Sequence, residues 1–460
     1  MKTPGTNPGD SPRGAASVSD CAPTLFAAIP QGTPAHRVRR RRFLQQLTLA
    51  VGAFPILVPP VLRSAPSREI ALASIGVGDR GRADLETFLA EPGCRVLAVC
   101  DVDHERAEAA KTRVNSHYGN RDCRVYYDFR NVLARPDIDA VVLALPNHWH
   151  AIPGLQAIRA GKDVYAEPPL AHSLREGRAV IEAVRRYGGI WQMGDSLGHL
   201  EPHRRAVACV RQGGLGALRA IEIGLEAGHH DGAGTAGRET PDRAPPALDY
   251  EMWLGPAPWA PYCPARVHHN WRWIRDTGGG QLMDGIGHEG VVALEAWGVR
   301  PQGPLKIEAS GTFPMAGLWN SPTAFRITVR YPNDVTLVIA AGHQDIRRGI
   351  RWIGDRGWIR VDRQGLEAEP KGLLDESSRP GKRPGPMLPP HRRLLESIRS
   401  RRPTLDSLVV AHHAAALGHL GQVAMDLGRP LRFDPEAEAF ILDPVATGLL
   451  AAPCREPWSL

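Results

Sequence analysis

The stretch that most constrains this chain is Gly76-Val77-Gly78-Asp79-Arg80-Gly81, because of what flanks it. Glu69 to Ile75 is a short apolar run, Asp84 to Leu89 reads as a helix, and Cys94 to Cys100 is a second apolar run that ends at Asp101. Strand, glycine turn, helix, strand is the opening of a doubly wound fold. Gly76 permits the tight turn, Gly78 lets backbone approach a pyrophosphate, and Gly81 lets helix pack on strand. The helix N-terminus then offers free N–H groups to the anion. Asp101 can accept both hydroxyls of a ribose, and its charge would repel a 2′-phosphate, so NAD is expected over NADP. Arg80 stands where it can contact phosphate or remain a solvated surface cation.

The same rhythm continues downstream. Helix Glu105–His117, buried strand Ala140–Leu145, helix Ile152–Ala160, strand Asp163–Ala166, helix Leu174–Tyr187 and strand Ile190–Met193 follow in turn. After Gly194 the pattern changes. Residues 219–226 and 325–341 alternate as half-buried strands do, Gly/Pro/Trp-rich loops fill 228–280, and helices 391–400 and 408–427 close the chain. The expected fold class is therefore α/β: an N-terminal Rossmann domain over 67–195, then a C-terminal α+β domain over 196–460 built on an open, mainly antiparallel sheet.

Residues 1–66 read as a disordered leader and a signal. Residues 1–36 are rich in Pro, Gly, Ser and Ala. Arg39-Arg40-Arg41-Arg42-Phe43-Leu44 then precedes an apolar stretch, Leu47 to Leu62, broken by Pro55, Pro59 and Pro60. That stretch is too short and too Pro-broken for a stable membrane span. The order Arg40-Arg41-Arg42-Phe43-Leu44 resembles the twin-arginine signal, which implies that export machinery as a partner and a periplasmic or exported location. The net charge of +7 invites a nucleic-acid reading, but Arg37 and Arg39 to Arg42 account for most of the excess and no nucleic-acid motif follows. Cys21, Cys94, Cys100, Cys123, Cys209, Cys263 and Cys454 form no C-x-x-C pair and no disulfide framework.

Beyond the turn, a family resemblance accumulates. Pro146-Asn147-His148-Trp149-His150 and Ala160-Gly161-Lys162-Asp163-Val164-Tyr165-Ala166-Glu167 resemble the nicotinamide-side signature of the Gfo/Idh/MocA oxidoreductases. The likeness runs on through Leu248 to Pro258, Asn270-Trp271-Arg272-Trp273, Gly279 to Asp284, Gly349 to Gly354, Gly357-Trp358-Ile359 and Pro457-Trp458. It is similar to the exported, sugar-related bacterial branch of that family. The resemblance implies a second domain whose sheet covers the nicotinamide, Pro146, Asn147, His150 and Glu167 as cofactor-side residues, a sugar or polyol substrate, and a homo-oligomer.

In that family a Glu-Lys-Pro segment supplies a lysine beside the substrate hydroxyl. Here the segment is Glu167-Pro168-Pro169, and proline offers no titratable group. Asp284-x-x-x-His288 does match the family's second-domain pair, and a spacing of four on a helical turn lets both side chains share one face. His288 is therefore the candidate base, with Asp284 orienting it or binding a substrate hydroxyl. Stabilising a helix start is the plainer role for the same two residues. His148-x-His150, His229-His230, His268-His269 and His412-His413 lack a zinc spacing with identifiable partners, so no metal is expected. Trp149, Trp253, Trp259, Trp271 and Trp273 suit sugar faces, core packing or a dimer contact equally. Three activities remain open: an NAD(P)-dependent oxidoreductase acting on CH–OH, an NAD-retaining glycosidase or lyase that oxidises its sugar transiently, and a non-catalytic nucleotide-binding protein.

Overall fold

The computed structural model describes residues 69–194, 197–229, 238–298, 303–376 and 387–460. The leader and twin-arginine segment lie outside the described residues, as does His230. Strands β1 Ile70–Ile75, β2 Cys94–Cys100, β3 Arg124–Tyr126, β4 Ala140–Leu143, β5 Asp163–Ala166 and β6 Trp191–Met193 form one sheet in the order β3-β2-β1-β4-β5-β6. Every pairing in it is parallel. All residues of β1 and β4 are buried, the mark of parallel strands covered on both faces. The strand order reverses between β1 and β4, and the crevice beyond their carboxyl ends is where such sheets bind ligands.

Local chemistry explains the helices. Asp103 caps helix His104–Tyr118, its carboxylate accepting from the amides of Glu105 and Arg106, and the helix ends on Gly119 at φ 65°. Ser173 caps Leu174–Tyr187, which ends on Gly188 at φ 66°. The helix after the glycine turn begins at Asp79 rather than Asp84, because the Arg82 amide already donates to Gly78 O.

The second sheet contains β7 Leu218–Leu225, β8 Leu305–Thr312, β9 Ala324–Arg330, β10 Thr336–Ala341, β11 Gly349–Gly354, β12 Gly357–Val361, β13 Leu366–Glu369, β14 Leu431–Asp434 and β15 Ala439–Phe440. Their order is β13-β12-β11-β7-β10-β9-β8-β14-β15. Only β7 with β10 pairs in parallel; the other neighbours are antiparallel. The run expected as alternating over 325–341 is two strands, separated by a turn in which Asp334 adopts φ 62° and Tyr331 N–H reaches back to Val335 O. Ile221, Ile223, Ile327, Val329, Leu337 and Ile339 are fully buried on one face, while most of their neighbours along each strand, Glu222, Thr328 and Val338 among them, are partly exposed.

The chain after residue 387 serves both halves. Leu394, Leu395 and Ile398 of helix Pro390–Ser400 share a core with Ile70 and Leu72 of β1, and Arg401 pairs with Asp163 of β5 at 2.6 Å. Helix Leu405–Leu427 then carries Leu408 into the first core and Leu417 and Leu420 into the second. The described cysteines are all free, and among the described residues no helix is long and apolar enough to cross a membrane.

Candidate functional site

A cleft of about 400 Å³ lies at the carboxyl end of the first sheet and is closed by residues of the second half. Its floor is the glycine turn. Gly76 adopts φ +81°, and a Cβ there would stand 2.4 Å from Ala144 O. A Cβ on Gly81 would stand 1.9 Å from Gly76 O, so strand and helix touch through backbone alone. A Cβ on Gly78 would meet the Arg106 guanidinium at 2.6 Å, and no side chain caps the helix that starts beside it. The cradle therefore has the space and the open amides that a pyrophosphate requires.

Asp101 closes the turn as well as lining the cleft. Its Oδ2 accepts the Val77 amide at 2.8 Å and its Oδ1 the Asp103 amide at 2.9 Å. Burial raises its pKa, against the pull of those two amides. Each oxygen keeps acceptor capacity for a ribose hydroxyl. Arg106, 3.5 Å from the Asp103 carboxylate, stands beside it. The residues present thus fit a dinucleotide: the glycine turn would hold the phosphates and Asp101 the ribose.

Arg80 is engaged inward. Its guanidinium bonds Glu167 at 3.0 and 2.8 Å and Asp84 at 2.9 Å. Burial pushes Glu167 up to about 8 and Asp84 up to about 6, while Arg80 pulls both back. Asp84 Oδ2 is buried without a hydrogen-bond partner among the described residues. Gly194 is obligatory here, since a Cβ would fall 2.0 Å from Glu167 Oε1.

Of the residues expected at the cofactor, Gly76, Gly78, Arg80, Gly81, Asp101, Pro146 and Glu167 line this cleft, whereas Asn147 and His150 are not among its lining residues. Asn147 is buried, and its Oδ1 has no hydrogen-bond partner among the described residues. His150 is wedged between Pro169 O at 2.6 Å and Leu145 O at 2.8 Å. His148 sits likewise between Thr277 O at 3.3 Å and Trp253 O at 3.1 Å. Burial lowers both imidazole pKa values, His148 to about 4. These rings brace the wall behind the cleft by tying it to Pro169, Trp253 and Thr277.

Asp284 and His288 enter the same cleft from the second half. Asp284 ends helix Gly280–Gly285 and His288 lies in a π-helical turn, Ile286–Gly290, so the four-residue spacing crosses a change of helix type rather than one α-helical turn. Such turns are rare and often occur at functional sites. A Cβ on Gly287 would stand 2.8 Å from Pro168 Cβ, so this turn rides directly on the proline that occupies the lysine position. Pro168 itself lines the cleft.

Several lining residues carry no site role in the sequence reading, which weighs His268-His269 only as a metal pair and Trp271 only as one of several aromatics. His268, His269, Trp271 and Arg272 lie in the segment His268–Trp273, which folds over the cleft. His268 has φ 56°, and burial lowers the pKa of both histidines. Tyr127, Phe129, Arg106 and Arg363 also line it. Arg106 had a usable signal, three residues past a helix-capping aspartate; Arg363, just beyond β12, had none.

Comparison with known proteins agrees with this geometry. Residues 70–195 match the family model described as "Oxidoreductase family, NAD-binding Rossmann fold". Residues 206–460 match "Oxidoreductase family, C-terminal alpha/beta domain". A relative named "Glycosyl hydrolase family 109 protein" from Shewanella baltica is 26% identical over 207 residues, 40% of this chain and 45% of its own length. One of the same name from Streptomyces coelicolor is 32% identical over 177 residues, 38% of this chain and 35% of its own. The chain thus spans less than half the length of these curated relatives. Among solved structures, the WlbA dehydrogenase from Bordetella pertussis, in complex with NADH and UDP-GlcNAcA, aligns at a TM-score of 0.57 and 16% identity over 79% of this chain and 98% of that one. With both halves of the chain matched by its two models, the protein belongs to the Gfo/Idh/MocA oxidoreductase family.

Proposed function

We propose that this protein binds NAD and moves hydride between the nicotinamide and a hydroxyl-bearing carbon of a sugar or polyol. The observation that carries this reading is the meeting of two sets of residues in one cleft: the glycine turn with Asp101, and Asp284 with His288. When bound, NAD supplies the hydride acceptor. His288 takes the hydroxyl proton in place of the absent lysine, and Asp284 orients the ring or holds a neighbouring hydroxyl. Asp101 supports NAD over NADP, because its carboxylate would face the 2′-phosphate. Mass-spectrometric identification of the co-purifying nucleotide, followed by NADH absorbance across a carbohydrate panel, tests the proposal. NAD in the protein and NADH formation with a sugar are expected; an empty cleft that binds no dinucleotide in titration would sink it.

The glycosyl hydrolase names of the relatives favour a second reading at the same site. In it the sugar is oxidised transiently and the substituent leaves by elimination with a neighbouring proton. Water adds in its place for a glycosidase, or the double bond stays for a lyase, and hydride returns to the sugar. The nucleotide therefore stays bound and no NADH accumulates. Release of an aglycone without net NADH would select this reading over the first.

We further propose export through the twin-arginine route, on the strength of Arg40-Arg41-Arg42-Phe43-Leu44. Replacing Arg40 and Arg41 together by lysine should strand the precursor in the cytoplasm. Normal delivery of that variant to the periplasm would reject the assignment.

A further inference from the structure

The charges around the cleft fall into three groups. Asp101, Asp103 and Arg106 stand at the ribose end. At the turn, Arg80 is occupied by Glu167 and Asp84. The third group lines the cleft from the second half of the chain, Asp284, Arg272 and Arg363, with Asp79 of the first half acting on His269 beside it.

Both arginines of this group have donors to spare. The Arg272 guanidinium lies over the Trp271 ring, 4.5 Å from its centroid, and gives one N–H to His269 O at 3.4 Å. Its Nε stands 3.9 Å from Asp284 Oδ1, too long for a hydrogen bond. A guanidinium carries five N–H groups in a planar fork, so most of those on Arg272 are unspent. Arg363 makes no hydrogen bond or ion pair with the described residues. A carboxyl on which it acts, Glu289, is pushed up to about 7 by burial, with Arg363 and Arg348 pulling it back. Burial also lowers the pKa of His269, which therefore adds little positive charge of its own.

Arg272 and Arg363 thus share this end of the cleft with the carboxyls of Asp284 and Asp79, and both arginines keep donors that those carboxyls do not take up. A neutral sugar filling this end would strip water from the Arg272 guanidinium without replacing its acceptors, which costs free energy. An anionic group on the sugar would supply them, and charge-assisted pairs to a planar guanidinium are among the stronger polar contacts.

We propose that the substrate is an acidic sugar, carrying a carboxylate or a phosphate, and that Arg272 and Arg363 hold that anion. This rests on reading the cleft as a site for a sugar, and it adds two specificity-determining residues to Asp284 and His288.

The test measures binding to the NAD-loaded full chain by calorimetry, with hexoses, the matching hexuronates and the matching hexose 6-phosphates as probes. At least one acidic series should bind about tenfold or more tightly than its hexose, as expected of a charge-assisted contact. Whether uronates or phosphates show the gain identifies the anion. Arg363→Gln and Arg272→Gln should each reduce the gain of the acidic sugar over its hexose to about threefold or less. Arg363 is exposed, so its variant should fold normally. Equal binding of hexoses and acidic sugars would overturn the proposal, as would a gain that survives both substitutions. Loss of NAD affinity in the variants would instead assign the arginines to the dinucleotide and overturn it too. The readout separates this inference from the oxidation reading. Selective acidic-sugar binding with no NADH formed would spare the anion site and count against net oxidation, whereas NADH formed equally well from hexoses would do the reverse.

Discussion

Asp101 is asked to do two things, and the structure shows both. Its two oxygens hold the amides of Val77 and Asp103, which pins the glycine turn to the end of β2, and the same carboxylate lines the cleft. Asp101→Ser removes the charge and at least one tether. Overall NAD affinity should fall, and the NAD-to-NADP affinity ratio should move toward NADP by about tenfold, since the repulsion of a 2′-phosphate is gone and Arg106 stays nearby. Parallel titrations with the two nucleotides check this; an unchanged ratio would mean that Asp101 does not face the ribose. The pair Asp84 and Glu167 was only half legible. Glu167 could be read from the family signature, but the i,i+4 pairing of Arg80 with Asp84 was hidden because the helix was expected to begin only at Asp84, and the further link to Glu167 beyond β5 is made by tertiary packing.

At the level of elements, the turn Ile286–Gly290 is the piece whose shape matters most. It departs from α-helical geometry, and Gly287 within it has no room for a side chain above Pro168 and Pro169. Gly287→Ala would force the helix off that dipeptide and carry His288 with it. We expect a loss of about 1–3 kcal/mol in stability and a larger proportional loss of turnover, with NAD affinity near the parent's because Gly76 to Asp101 are untouched. Urea unfolding beside steady-state assays checks both; full turnover in a folded variant would separate the turn's position from catalysis. The π-helical geometry left no trace in the sequence. Spacing alone put Asp284 and His288 on one face, and the structure delivers both to one cleft by a different backbone path.

On the scale of the whole molecule, the C-terminal tail links the two halves over the cleft. Trp458 packs edge-on against Trp149 at 4.7 Å and near Phe129 at 6.3 Å, with Arg130 at 5.3 Å from its ring. Trp149 and Phe129 line the cleft, and Arg455 ties the tail to Gly255 O at 3.0 Å and to Glu251. Trp458→Ala should cost about 1–3 kcal/mol, less than a fully buried tryptophan because the ring is half-buried. NAD should then bind several-fold more weakly as the wall loosens. Unchanged NAD affinity in a binding titration would reduce the tail to a cover without effect on the site.

What the sequence by itself determined was whatever its local chemistry dictates. The glycine turn could be read because only glycine tolerates φ +81° at Gly76 and the contact beneath Gly81. The parallel strands could be read because burial on both faces demands continuous apolar runs, and helix Leu174–Tyr187 because Ser173 and Gly188 cap its two ends. Tertiary structure alone decided which distant segments meet. Helix Pro390–Ser400 returns to the first sheet, Arg363 reaches the cleft from beyond β12, and His148 and His150 turn their rings to backbone carbonyls behind the wall. The division has one physical cause. Caps, turns and strand periodicity depend on residues a few positions apart, whereas these contacts join groups far apart in sequence, and only the packed cores bring them together.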